Sequence, residues 1–74
     1  MINDNATIEF PEFRKMTLDQ ARQAFCDWVD TTWDFHASME SHKFDARQST
    51  SVKQIHKHAI NALASGLVYK AKGL

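Results

Sequence analysis

The chain has one cysteine, one proline and two glycines in 74 residues. A lone thiol, Cys26, forms no intrachain disulfide, whereas small secreted domains rely on several bridges to make up for a thin core. The sequence therefore points to a reducing, cytoplasmic setting. The scarcity of Pro and Gly, with a hydrophobic share of 43%, argues against disorder and low complexity. Long apolar runs are missing too, and nothing approaches the ~20 residues of a membrane-spanning helix. Residues 1–10 carry Asp4 and Glu9 and lack the basic head and apolar stretch of a signal peptide. The Asn5-Ala6-Thr7 sequon is accordingly read as chance. Nor is there net charge: nine Lys and Arg balance nine Asp and Glu, which disfavours binding to nucleic acid or membrane through the overall field. The length is about half of an ordinary domain of ~150 residues, too short for a Rossmann or barrel cofactor fold.

What is present is helical patterning behind an N-terminal arm. Residues 1–16 read as extended, with Ala6-Thr7-Ile8-Glu9-Phe10 alternating weakly as a short strand does and Pro11 ending it. Ile2, Ile8, Phe10 and Phe13 are the arm's apolar positions, suited to lie across helices. Thr17-Leu18-Asp19-Gln20 then fits a capping box, in which the Thr hydroxyl takes a backbone amide and Gln20 reaches back. From there Leu18, Ala21, Phe25, Trp28, Thr32, Phe35 and Met39 recur at spacings of three and four, a core-facing stripe. At ~100° per residue, Ala24, Cys26, Val29 and Trp33 widen the stripe to about 200°. One partner helix covers only part of that arc, so the arm or a second protein must bury the rest.

The spacing predicts a first helix over about 18–43, a polar connector from Phe44 to Ser51, and a second helix over about 51–71. Ser51-Val52-Lys53-Gln54 repeats the capping pattern, and Val52, Ile55, Ala59, Ala62, Leu63, Gly66 and Leu67 form the next apolar face. Ala59, Ala62 and Gly66 make a shallow strip on it. A glycine in a helix interior costs ~1 kcal/mol relative to Ala, so Gly66 suggests close approach of another helix or of aromatic rings. The expected fold is all-α, an antiparallel two-helix hairpin with an extended N-terminal arm. Two helices give little core at this size, so completion as a homodimeric four-helix bundle is the alternative route to stability.

Charge is sorted along the chain. Residues 18–45 hold Asp19, Asp27, Asp30, Asp34, Glu40 and Asp45 against Arg22 and Lys43, while residues 46–74 hold Arg47, Lys53, Lys57, Lys70 and Lys72 and no acid. The simplest consequence is an acidic helix complementing a basic one. Asp19, Asp27, Asp30 and Asp34 fall within about 80° on one continuous helix, opposite its apolar arc. Like charges at that spacing destabilise a helix by ~0.2–0.5 kcal/mol per pair, so the stripe is a candidate docking surface. Trp33 projects to the rim of the arc beside charged residues, the usual composition of an interface hot spot. Arg47, Lys53, Lys57 and His58 form a smaller basic group that could neutralise phosphates near a helix N-terminus. No helix-turn-helix spacing accompanies them.

Enzyme chemistry finds little support. His36, Glu40 and His42 are near one another in sequence, yet no HExxH or paired CxxC pattern completes a metal site. His56 and His58 point about 200° apart on a helix, and His56 falls in the apolar arc as a packed residue. Cys26 lacks an assigned base or oxyanion site, and no pocket surrounds Asp30 and Asp34. No catalytic residue, metal or cofactor is therefore expected. The leading expectation is a non-enzymatic protein-interaction module that binds and modulates or inhibits a larger partner through Asp27, Asp30, Asp34 and Trp33. Its size and sorted charges have the character of small phage accessory proteins acting on a host machine such as RNA polymerase or a CRISPR complex. The alternative is a homodimeric nucleic-acid-binding or transcription-regulatory protein using Arg47, Lys53, Lys57 and His58.

Overall fold

The computed structural model describes residues 10–72. Three helices follow a single 3₁₀ turn at Phe13–Lys15: α1, Leu18–Thr32; α2, His36–Arg47; and α3, Val52–Ala71. The all-α class is as expected, but the hairpin is a three-helix unit. Each helix packs on both others, and the 3₁₀ turn lies across α1 and α3. The short strand expected at Ala6–Phe10 falls outside the described residues except for Phe10, which is irregular.

Both start signals act as their chemistry demands. Thr17 Oγ1 accepts from the Gln20 amide at 3.2 Å, and Gln20 Oε1 accepts from the Thr17 amide at 3.0 Å. At α3, Ser51 Oγ accepts from the Gln54 amide, but the Gln54 side chain reaches one residue further back and accepts from the Thr50 amide at 2.8 Å. These contacts satisfy amides that a helix start leaves unpaired.

The first helix does not run on to 43. It stops at Thr32, and α2 restarts at His36 and continues to Arg47, absorbing Phe44 and its neighbours from the expected connector. No proline or glycine marks the break. Thr31 and Thr32 supply local weakness: both are β-branched, and Thr31 Oγ1 donates back to the Asp27 carbonyl at 2.8 Å, a contact that tends to bend helices. Trp33 makes the last α1 backbone bond, to the Val29 carbonyl, and then turns extended at φ −127°, ψ 145°. That turn carries its indole inward, where it is 4% exposed. Burying an aromatic ring of 150–250 Å² is worth about 4–6 kcal/mol, enough to outweigh a few interrupted helical hydrogen bonds at ~1 kcal/mol each.

The indole rests on Gly66 of α3. A Cβ built there would fall among the Trp33 ring atoms Cε2, Cζ2 and Nε1. The close approach expected at Gly66 thus exists, and the ring that makes it is Trp33. Around this contact the core comprises Phe13, Ala21, Phe25, Trp28, Val29, Trp33, Met39, Ala46, Ile55, Ala59 and Ala62. Trp28 meets its aromatic core neighbours edge to face, with Trp28–Trp33 centroids 5.3 Å apart and Phe25–Trp28 5.8 Å apart. The described part of the arm supplies the expected cover. Phe13 is fully buried, and Phe10 stacks edge-on against Trp28 at 5.6 Å and His56 at 5.3 Å. The wide arc of α1 is therefore closed within the chain by α2, α3 and the arm.

A side chain from α1 clamps the turn from α2 to α3. Arg22 of α1 donates to the Ser49 carbonyl through Nε at 3.2 Å and Nη2 at 2.6 Å. Ser49 is buried and its hydroxyl donates to the Asp45 carbonyl at 3.0 Å, which ties off the end of α2.

Gly66→Ala tests the central contact. Helix propensity alone favours Ala by ~1 kcal/mol, while displacing a packed indole costs about 1–3 kcal/mol. The clash is expected to win, lowering the thermal midpoint by circular dichroism, at about 4–8 °C per kcal/mol. In a Trp33→Leu background the same substitution should become stabilising. A stabilising effect in the native background would contradict the seating of Trp33.

Candidate functional site

The acidic residues of α1 are not one uniform surface. Asp19 pairs with Arg22 at 3.2 Å. Asp30 accepts from Lys43 Nζ at 2.8 Å and lies 3.1 Å from His36 Nδ1. Lys43 also meets Glu40 at 3.2 Å, and Glu40 meets Arg47 at 3.3 Å. This chain of ion pairs crosses from α1 to α2 and neutralises Asp30. Lys43 is held at the helix interface with its side chain 9% exposed. The hydrogen bond from Lys43, then that from His36, keeps Asp30 below the ordinary carboxylate range. Lys43 and then Arg47 do the same for Glu40, and Asp30 raises Lys43.

Of the expected acidic docking residues, Asp27 and Asp34 remain exposed and outside these ion pairs, although Asp27 accepts from Gln23 Nε2 at 3.0 Å. Asp34 lies in the break between α1 and α2, so the stripe projected on one continuous helix is split. Trp33 is not at a rim. It is a core residue, and the surface anchor assigned to it from the sequence is corrected by the turn that buries it.

The basic residues divide as well. Arg47 belongs to the last turn of α2 and is paired with Glu40. It does not join Lys53 and Lys57. Burial pushes the Cys26 thiol up, against the opposing influence of Arg47 and Lys43. His58 is half-buried on the flank of α3 near His42. Burial lowers His42, helped by His58 and opposed by Asp45. Among the described residues, no group of three or more His, Cys, Asp or Glu side chains is placed to hold a metal ion, and no helix is long and apolar enough to cross a membrane.

What the structure does bring together is Lys53, Lys57 and Arg14. With Ser51, His56 and Ile60 they border one cleft of about 460 Å³. No acidic side chain forms an ion pair with any of these three cations among the described residues. The outer face of α3 continues from this cleft as an apolar strip. Ile60, Leu67 and Val68 are 51%, 50% and 51% exposed, and Ala64 and Ala71 are exposed among them. At ~100° per residue, Lys53, Lys57, Ile60, Ala64, Leu67 and Ala71 share an arc of about 80°, and Val68 borders it. Leu67, read from the sequence as a core position, lies on this outer face.

Arg14 and the apolar strip escaped the sequence reading for different reasons. Arg14 is some 40 residues from Lys53 and reaches the cleft only because the 3₁₀ turn packs on α3. Ile60, Ala64, Leu67 and Ala71 did carry a signal, a second series at spacings of four, three and four on a helix already assigned one apolar face. Compared with known proteins, the chain matches no family model, no curated protein and no solved structure.

The ion-pair chain predicts an acid-side loss of stability. Asp30 and Glu40 have lowered folded-state values, so their contribution is complete above the unfolded carboxylate range of ~3.9–4.3 and fades as pH falls through the lowered values. Lys43, raised, contributes below its unfolded value of ~10.4 and loses that contribution as pH rises through the higher folded value. Lys43→Met should flatten the fall in thermal midpoint between neutral and strongly acid pH, with a change of under ~1 kcal/mol at pH 7, since the carboxylates left behind are hydrated. An unchanged acid limb would show that Lys43 does not hold them.

Proposed function

We propose that the protein is a small non-enzymatic interaction module that docks on a larger partner protein and modulates or inhibits it. The observation that carries this is the outer face of α3, where three half-exposed aliphatic side chains stand in one row. Isolated exposed hydrophobic residues are ordinary, whereas a contiguous row rimmed by polar groups marks an interaction surface. Among the described residues the core lies on the opposite side of α3, and none of these three side chains belongs to it. Asp27 on α1 and Asp34 in the break after it, both exposed, serve as secondary contacts. A subunit of a bacterial nucleic-acid machine is the partner class to try first, on the analogy of size and charge with phage accessory proteins.

Nucleic-acid binding is the second reading, favoured by Lys53 and Lys57 standing exposed and outside every ion pair among the described residues. It is narrower than the sequence implied, since Arg47 is committed to Glu40.

Affinity capture of the tagged protein from a bacterial lysate, with and without nuclease, separates the two. Docking predicts one stoichiometric protein that survives nuclease, is lost with Ile60→Ser/Leu67→Ser, and is reduced only partly with Asp27→Lys/Asp34→Lys. Capture abolished by nuclease, with retention on duplex DNA that falls steeply as salt rises, would instead establish nucleic-acid binding. Capture indifferent to the Ile60 and Leu67 substitutions would remove the α3 face from the account.

A further inference from the structure

We infer that the outer face of α3 receives an acidic amphipathic helix of the partner protein, its apolar side chains on Ile60, Leu67 and Val68 and its carboxylates in the Arg14–Lys53–Lys57 cleft; this rests on the docking proposed above. Three features of the surface select that occupant. The first is charge. The three cations bordering the cleft make no ion pair among the described residues, and they adjoin the apolar row at one end only, so a matching surface is acidic at one end and apolar along the rest.

The second is shape. From Lys53 to Ala71 the face runs straight for about 27 Å along a single helix, with the cleft at one end and a shallow hollow beside Ala64, Ser65, Val68 and Tyr69 toward the other. Ridges on an incoming helix present side chains at spacings of three and four that fit such hollows. An added β-strand would require an open sheet edge, and the described residues contain no strand.

The third is the poor fit of other occupants. A second copy laid parallel along this face would set Lys53 and Lys57 against the same lysines, opposing like charges, and an antiparallel copy would set those lysines against the apolar end of the row with no acidic side chain to meet them. A nucleic-acid backbone would satisfy the cations but leave the aliphatic groups of Ile60, Leu67 and Val68 in water.

The test is selection of random peptides of about 18 residues, the helix length that spans ~27 Å, displayed and panned against the immobilised full-length protein. A 20-base-pair DNA duplex is run in parallel. The expected result is enrichment of peptides with Asp or Glu near one end and Leu, Ile, Phe or Trp at spacings of three and four. A representative synthetic peptide should bind about tenfold or more weakly to Lys53→Glu/Lys57→Glu. A lysine-for-glutamate version of that peptide should prefer the variant. Enriched peptides that are neutral or basic, lost on Ile60→Ser/Leu67→Ser but indifferent to the lysine substitutions, would overturn the acidic partner while leaving docking on α3 intact. Absence of any α3-dependent peptide, with the duplex retained through Lys53 and Lys57, would overturn both.

Discussion

The arrangement of this protein depends on one packing contact, the Trp33 indole laid on Gly66. A helix continued through position 33 would leave that ring at the edge of the apolar arc. By leaving helical geometry at Trp33 the chain brings the ring into the core, and only a residue without a Cβ lets α3 accept it. The remaining architecture follows. The break turns α2 back so that Met39 and Ala46 face the core, and Lys43 then stands within reach of Asp30 on α1. Arg22 holds the next turn through Ser49, which returns α3 across both helices. Three short helices in mutual contact supply the core that two long ones would have lacked at this length.

Helix class, both capping sequences and the span of α3 were legible because they depend on local chemistry. Thr17 and Ser51 cap the amides of residues three positions away, and no tertiary context is required for that. The break was not legible. Every residue from Thr31 to Phe35 is compatible with a helix, and the energy that stops it lies in a ring contact with a glycine 33 positions later. Gly66 did announce a close approach, yet nothing in its neighbourhood names the residue that approaches. Phe13 as cover for α1 was likewise readable as an apolar position in the arm, while the route of the 3₁₀ turn that also delivers Arg14 to α3 was not.

The charge pattern shows the same division between local and long-range information. Counting acids on α1 and bases on α3 suggested two complementary helices. The ion pairs found instead run from α1 into α2, through Lys43 and Arg47 to Asp30 and Glu40. That rerouting uses up the middle of the aspartate stripe, and among the described residues the cations bordering the α3 cleft join no ion pair. On α3, by contrast, exposed aliphatic groups and cations share one face. A helix apolar on two faces is more than a three-helix core requires, and the outer of those faces is the feature least explained by folding alone.

The most direct measurement of the central packing claim is a proton NMR spectrum of the folded protein with Trp33 and Gly66 assigned. The account predicts cross-relaxation between the Trp33 indole protons and the Gly66 α protons, with those α protons displaced upfield by the ring, and an interruption of helical connectivities at residues 33–35. Unbroken helical connectivities from Leu18 to Lys43, with a Trp33 ring in free contact with water and Gly66 α protons at ordinary helical positions, would contradict it.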